Sequence, residues 1–119
     1  MRVMVIGASS NQSKFGNKAV RAYLRQGHEV FPVNPSGQTI EGLRVYPRIA
    51  DVPGPIDRAT VYVPPEIGLG AMAELAARGD TAEVWLNPGA DSPEVVAAAE
   101  GAGLAVIQAC SIVDIGERP

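Results

Sequence analysis

Met1 to Asn17 reads MRVMVIGASSNQSKFGN. Val3 to Ile6 is an unbroken apolar run, Gly7-Ala8-Ser9-Ser10 turns the chain, and a polar stretch then opens a helix. A continuous apolar strand is one covered on both faces, and such strands are mostly parallel. The first amides of a helix have no partner inside the helix, and the dipole there favours negative charge. A strand, a small-residue turn and a helix start therefore make a phosphate cradle. The stretch predicts the opening of a βαβ unit with an anion site at the carboxyl end of its first strand.

The rest of the chain repeats the pattern. Phe15, Ala19, Val20, Tyr23 and Leu24 recur at helical spacing, so a helix is predicted from about Ser13 to Gln26, ended by Gly27. Glu29 to Val33 is a second strand, and Pro32 inside it cannot donate a ladder hydrogen bond. Asn34-Pro35-Ser36-Gly37 is a turn, followed by an irregular segment and a helical turn near Arg48 to Val52. Arg58 to Val63 is a third strand. Pro65 and Glu66 suit a helix start, and that helix is expected to bury Ile67, Leu69, Met72, Leu75 and Ala76 before Gly79 ends it. Glu83 to Leu86 is a fourth strand, Asn87-Pro88-Gly89-Ala90 a turn, and Ser92-Pro93 a capped helix start. Leu104 to Ile107 is the fifth strand.

Five strands alternating with helices predict an α/β fold: a doubly wound, parallel five-stranded sheet in a Rossmann-like, three-layer α/β/α sandwich. The expected strand order is 3-2-1-4-5, with the chain reversing after the third strand. Residues 1–119 read as one domain. Ligands of such sheets bind outside the carboxyl ends of the strands. That rule singles out the loops at Gly7 to Ser13, Asn34 to Gly37, Tyr62 to Glu66 and Asn87 to Ala90.

Composition narrows the function. Ten Lys and Arg residues are scattered through a chain of net charge −3, without the clustered charge that displaces counterions from a nucleic acid. No apolar run approaches the roughly 20 residues of a membrane span, and no signal peptide is visible. The single cysteine, Cys110, allows no internal disulfide and fits a reducing cytoplasm. No His/Cys/Asp/Glu cluster has metal spacing, so no metal is expected.

The first loop is not a dinucleotide fingerprint. After Gly7, G-x-G-x-x-G needs glycines at the places held by Ser9 and Gln12, and the acid that bonds a ribose is replaced by Asn34-Pro35. Nor does Gly-Lys-Ser/Thr follow, as a P-loop requires. An NAD(P)-binding oxidoreductase is thereby weakened but stays open. Backbone amides at a turn, the hydroxyls of Ser9, Ser10 and Ser13, and a helix N-terminus remain, and these hold a phosphate without metal.

Gly7-Ala8-Ser9, Val33-Asn34-Pro35, Gly42 to Pro47 (GLRVYP), Val61 to Pro64 (VYVP), Trp85 to Gly89 (WLNPG) and Cys110 follow one another in an order that resembles the stand-alone CoA-binding domain proteins. These are similar to the N-terminal domain of the succinyl-CoA synthetase α subunit. The resemblance spans Arg2 to about Asp114. It implies CoA or acyl-CoA as cofactor, lying across the strand ends. Gly7, Ser9, Ser10, Asn11 and Gln12 would hold its phosphates. Asn34 and Pro35 would lie beside the adenosine end, Val63 and Pro64 against the nucleotide, and Asn87, Pro88 and Gly89 toward the pantetheine. The family commonly has Lys after Asn-Pro, and here Ser36 stands there, leaving Lys14 or Arg44 to meet a phosphate. No catalytic residue is expected. The synthetase carries its phosphohistidine in another domain, and His28 falls at the amino end of the second strand. The expected function is CoA binding without catalysis, with the CoA-binding subunit of a multi-chain acyl-CoA synthetase as the alternative. Expected partners are the nucleotide cofactor and a second copy of the chain or a partner enzyme subunit, with neither nucleic acid nor membrane.

Overall fold

The computed structural model describes residues 1–119. The elements are β1 (Arg2–Ile6), α1 (Phe15–Arg25), β2 (Glu29–Val33), a 3-10 turn (Ile49–Asp51), β3 (Ile56–Val61), α2 (Pro65–Arg78), β4 (Thr81–Leu86), α3 (Pro93–Gly101), β5 (Val106–Gln108) and α4 (Ser111–Asp114). The five strands form one sheet in which every pairing is parallel. Alternate residues of β1 face opposite layers. Met4 and Ile6 join a core built with α2, α3 and the 3-10 turn, while Val3 and Val5 join a core built with α1 and α4. The α/β/α sandwich expected from the alternation of elements is the one observed.

The strand order is 2-1-3-4-5, which corrects the expected 3-2-1-4-5. Pro32 gives the physical reason. Its carbonyl accepts from Tyr46 N, on the side away from β1, so its nitrogen faces that side too. A neighbouring strand there would meet a missing donor, so β2 takes the edge and β3 pairs with β1 instead. The connection from β2 then crosses the sheet to reach Ile56. Direction reverses between β1 and β3, which makes that junction the switch point.

Register fixes where the site lies. Ile6 is opposite both Val33 and Val61, Val61 is opposite Leu86, and Leu86 is opposite Gln108. All five strands therefore finish level. Gly7, Asn34, Tyr62 and Asn87 are each the first residue past a strand, on one edge.

Two side-chain expectations change. β3 ends at Val61, not Val63, so Tyr62 and Val63 leave the ladder and reach the edge. On α2, Ile67 and Leu69 are exposed, and the inward stripe is Gly68, Ala71, Met72 and Leu75. A Cβ on Gly68 would lie 3.2 Å from Val95 Cγ2, so the small residue is what lets α2 close on α3.

The chain past β5 is anchored from beneath. Ile112 is fully buried, and Asp114 pairs with Arg58 at 2.8 Å. Arg58 also bonds Glu83 and Tyr23 and stacks on Trp85, 4.3 Å from the ring centroid. Burial works against its charge, but the bonds to Tyr23, Asp114 and Glu83 outweigh it and raise the pKa above the ordinary arginine value.

Candidate functional site

A cleft of about 750 Å³ opens at the level strand ends. From the loop after β1 and the start of α1 it is lined by Gly7, Ala8, Ser9, Ser13, Lys14, Phe15 and Gly16. Asn34 adds the end of β2, Tyr62, Val63 and Pro64 the end of β3, Asn87 to Ala90 the end of β4, and Cys110 the end of β5. Of the predicted site residues, Gly7, Ser9, Asn34, Val63, Pro64, Asn87, Pro88 and Gly89 meet here. Ser10, Asn11, Gln12 and Pro35 stand outside the walls, all exposed.

The cradle is held by close approach. Gly7 has φ +86°, and a Cβ there would meet Val63 Cγ1 at 2.9 Å. A Cβ on Gly16 would lie 2.1 Å from Gly7 O, so the first turn of α1 rests directly on the loop. Gly7 and Gly16, nine positions apart, thus provide the tight turn and the close helix–strand contact. The amides of Ser9, Ser10, Phe15 and Gly16 donate to no acceptor in the chain. Ser9 Oγ accepts from Asn11 N, and Asn11 Oδ1 accepts from the Ser13 amide and hydroxyl, which shapes the loop crest. Beneath it, buried Asn17 donates to Ser9 O and accepts from Arg21 Nε.

The asparagines are tied into the frame. Asn34 Nδ2 donates to Ala8 O at 2.7 Å, joining the first two loops, while its Oδ1 accepts from Ser36 N and Oγ. Asn87 is buried. Its Nδ2 donates to Thr60 Oγ1 and Val61 O, and its Oδ1 accepts from Ser111 N. Both amide hydrogens of Asn87 are engaged, so its part in the site is to position the Pro88-Gly89 loop. Ser111 Oγ shares a hydrogen with Thr60 Oγ1 at 2.6 Å and meets Tyr62 OH at 3.3 Å. Burial pushes the Tyr62 phenol up to about 12, with the Ser111 and Thr60 hydroxyls opposing, so it stands protonated at neutral pH.

Lys14 is the one charged side chain on the walls, and no carboxylate or imidazole lines them. Arg44, the other candidate for the phosphate, stacks on Tyr46 and does not reach the cleft. His28 lies at the opposite edge of the sheet, where its Nδ1 is 2.8 Å from the Met1 amine. Ala8, Tyr62 and Ala90 fall in the loops that the strand-end rule singles out, whereas Phe15 and Gly16 were not legible as lining residues. Phe15 carries a core-like apolar pattern, and its place at the start of α1 brings it to the cleft.

The fold and cleft define an α/β domain with an open cleft at the switch point of a Rossmann-like parallel sheet. A family model described as a CoA binding domain matches residues 1–116. The chain belongs to that CoA-binding domain family. It is 37% identical over 89 residues to acetate–CoA ligase [ADP-forming] II of Archaeoglobus fulgidus, covering 73% of this chain and 13% of the ligase. It is 28% identical over 88 residues to acetate–CoA ligase [ADP-forming] II subunit alpha of Pyrococcus furiosus, covering 73% and 19%. The chain thus matches less than a fifth of either ligase. A solved structure of a conserved hypothetical protein from Pyrococcus furiosus superposes with TM-score 0.84 at 33% identity, covering 95% of this chain and 97% of that one. No helix is long and apolar enough to cross a membrane.

Proposed function

We propose that this chain binds CoA in the strand-end cleft and performs no reaction by itself. One observation carries the proposal. The cleft at the β1/β3 switch point joins unpaired amides at Ser9, Phe15 and Gly16 to a single cation, Lys14, and holds no acid. That is an environment for phosphate. Gly7 and Ser9 would hold the CoA phosphates, with Ser10, Asn11 and Gln12 shaping the loop. Asn34 and Pro35 would flank the adenosine end, Val63 and Pro64 the nucleotide, and Pro88 and Gly89 the pantetheine, beside Asn87. Membership of the CoA-binding family supports this assignment.

With neither carboxylate nor imidazole on the walls, a general acid or base for acyl transfer would come from another chain. A second reading follows from the ligase relatives, of which this chain matches a small part: it presents CoA, or an acyl-CoA, to a partner enzyme subunit. Isothermal titration with CoA, NAD and ATP tests the first reading. Saturable binding of CoA and not of NAD is expected, and no heat with millimolar CoA would sink it. Co-purification followed by a nucleotide-dependent thioester assay tests the second.

A further inference from the structure

Cations that are scattered in sequence gather on the outer face of α1. Lys18, Arg21 and Arg25 are spaced three, four and seven apart, which places them on one helix face. Arg118 comes alongside from the far end of the chain, and these four cations together with Pro119 line a groove of about 190 Å³ distinct from the cleft. Like charges at these spacings repel, so the arrangement costs stability unless something offsets it. Within the chain little does. Glu117 pairs with Arg25 at 2.7 Å, and no carboxylate forms an ion pair with Lys18, Arg21 or Arg118. For a chain of net charge −3, this is a local inversion of sign.

Two of the guanidinium groups are already oriented. Arg21 donates Nε to Asn17 Oδ1, on a fully buried side chain, and a terminal nitrogen to Gln12 O. Arg25 donates Nε and a terminal nitrogen to Glu117 Oε1, and Gln26 holds the other oxygen of Glu117. Each arginine keeps a second terminal nitrogen without a partner. Forks fixed in this way lose little freedom when they meet a tetrahedral oxyanion.

From this geometry we propose that the groove between Lys18, Arg21, Arg25 and Arg118 is a second anion site, one that takes a phosphate group independently of the strand-end cleft. The ligand class is a phosphate or pyrophosphate group, free or carried on a small molecule. The site stands whether or not the cleft binds CoA.

The test uses the full chain with pyrophosphate as probe, at constant ionic strength, followed by 1H–15N correlation spectra. Saturable shifts are expected at the Arg21 and Arg25 side-chain Nε–H signals, with chloride giving none. The double variant K18A/R118A, which removes two exposed or half-buried cations outside the cleft, is expected to weaken pyrophosphate binding about tenfold. Its affinity for CoA should match the wild type. The proposal is overturned by the absence of a saturable shift, by an equal response to chloride, or by shifts confined to Ser9 and Gly16 of the cleft. Titrating the variant with CoA as well as with pyrophosphate separates the two sites. If the K18A/R118A variant loses affinity for CoA as it does for pyrophosphate, the groove is not independent of the cleft and the proposal fails.

Discussion

Asn87 reads from the sequence as a turn residue at the ligand edge, and the structure ties its side chain into the frame beneath the cleft. Its amide and carbonyl oxygen join β3, β4 and α4 inside the protein. Removing them in Asn87→Ala leaves Val61 O and Ser111 N buried without partners. An unsatisfied buried group costs about 1–3 kcal/mol, so a loss of about 2–4 kcal/mol is expected in urea unfolding. A variant with an unchanged urea midpoint would show that Asn87 anchors nothing. Gly16 is the other residue whose role lies in contact with backbone. In Gly16→Ala the new methyl would meet Gly7 O at 2.1 Å, and no flexible side chain is there to yield. Overpacking of this kind costs about 1–3 kcal/mol. Because the strain falls on the cradle itself, CoA affinity should drop along with stability. Full affinity in a stable Gly16→Ala protein would mean that the contact between loop and helix does not shape the site.

At the scale of elements, α1 brings its first-turn amides and Lys14 to the cleft. Lys14→Ala should weaken CoA binding about two- to fivefold, the range of an exposed ion pair, and the loss should shrink as salt is raised. Arg44→Ala should leave affinity unchanged, since Arg44 lies on Tyr46 outside the cleft. Equal losses in both titrations would contradict the assignment of Lys14. The strand-turn-helix start of the chain was readable because each part has a local cause: an apolar run, small residues, a polar helix opening. Helix ends were readable too, from Gly27, Pro65, Gly79 and the Ser92 cap, whose hydroxyl accepts from Val95 N. Helix faces were less so. On α2 two apolar stripes compete, Ile67 and Leu69 against Gly68 and Ala71, and hydrophobicity alone favours the wrong one. The choice is made by how closely α3 must approach, which belongs to the pair of helices and not to either sequence.

The whole molecule separates two edges of one sheet, and that separation has a consequence for pH. Composition and alternation gave the sandwich, but lateral strand order depends on which strand can tolerate an edge, and only Pro32 carried that signal. The carboxyl edge holds the cleft. His28 sits at the amino edge, where burial first, then the Met1 ammonium, then Arg58 lower its pKa below the ordinary 6.5. The folded chain therefore binds fewer protons there than the unfolded chain does. Its contribution to stability is complete above the unfolded value and is lost as pH falls through the lower, folded value. Stability should decline between about pH 7.5 and about pH 5.5, and His28→Asn should remove the histidine's share of that decline. Strands of five residues span roughly 16 Å, so the charge gained by His28 is well away from any phosphate in the cleft. CoA affinity will vary with pH through the ligand's own phosphate, whose second ionisation lies near about pH 6. The comparison that isolates the protein is the difference in affinity between wild type and His28→Asn, measured at both pH values. That difference should stay constant while the difference in urea midpoint changes. If both change together, the two edges of the sheet are coupled, and His28 would then belong to the functional half of the molecule.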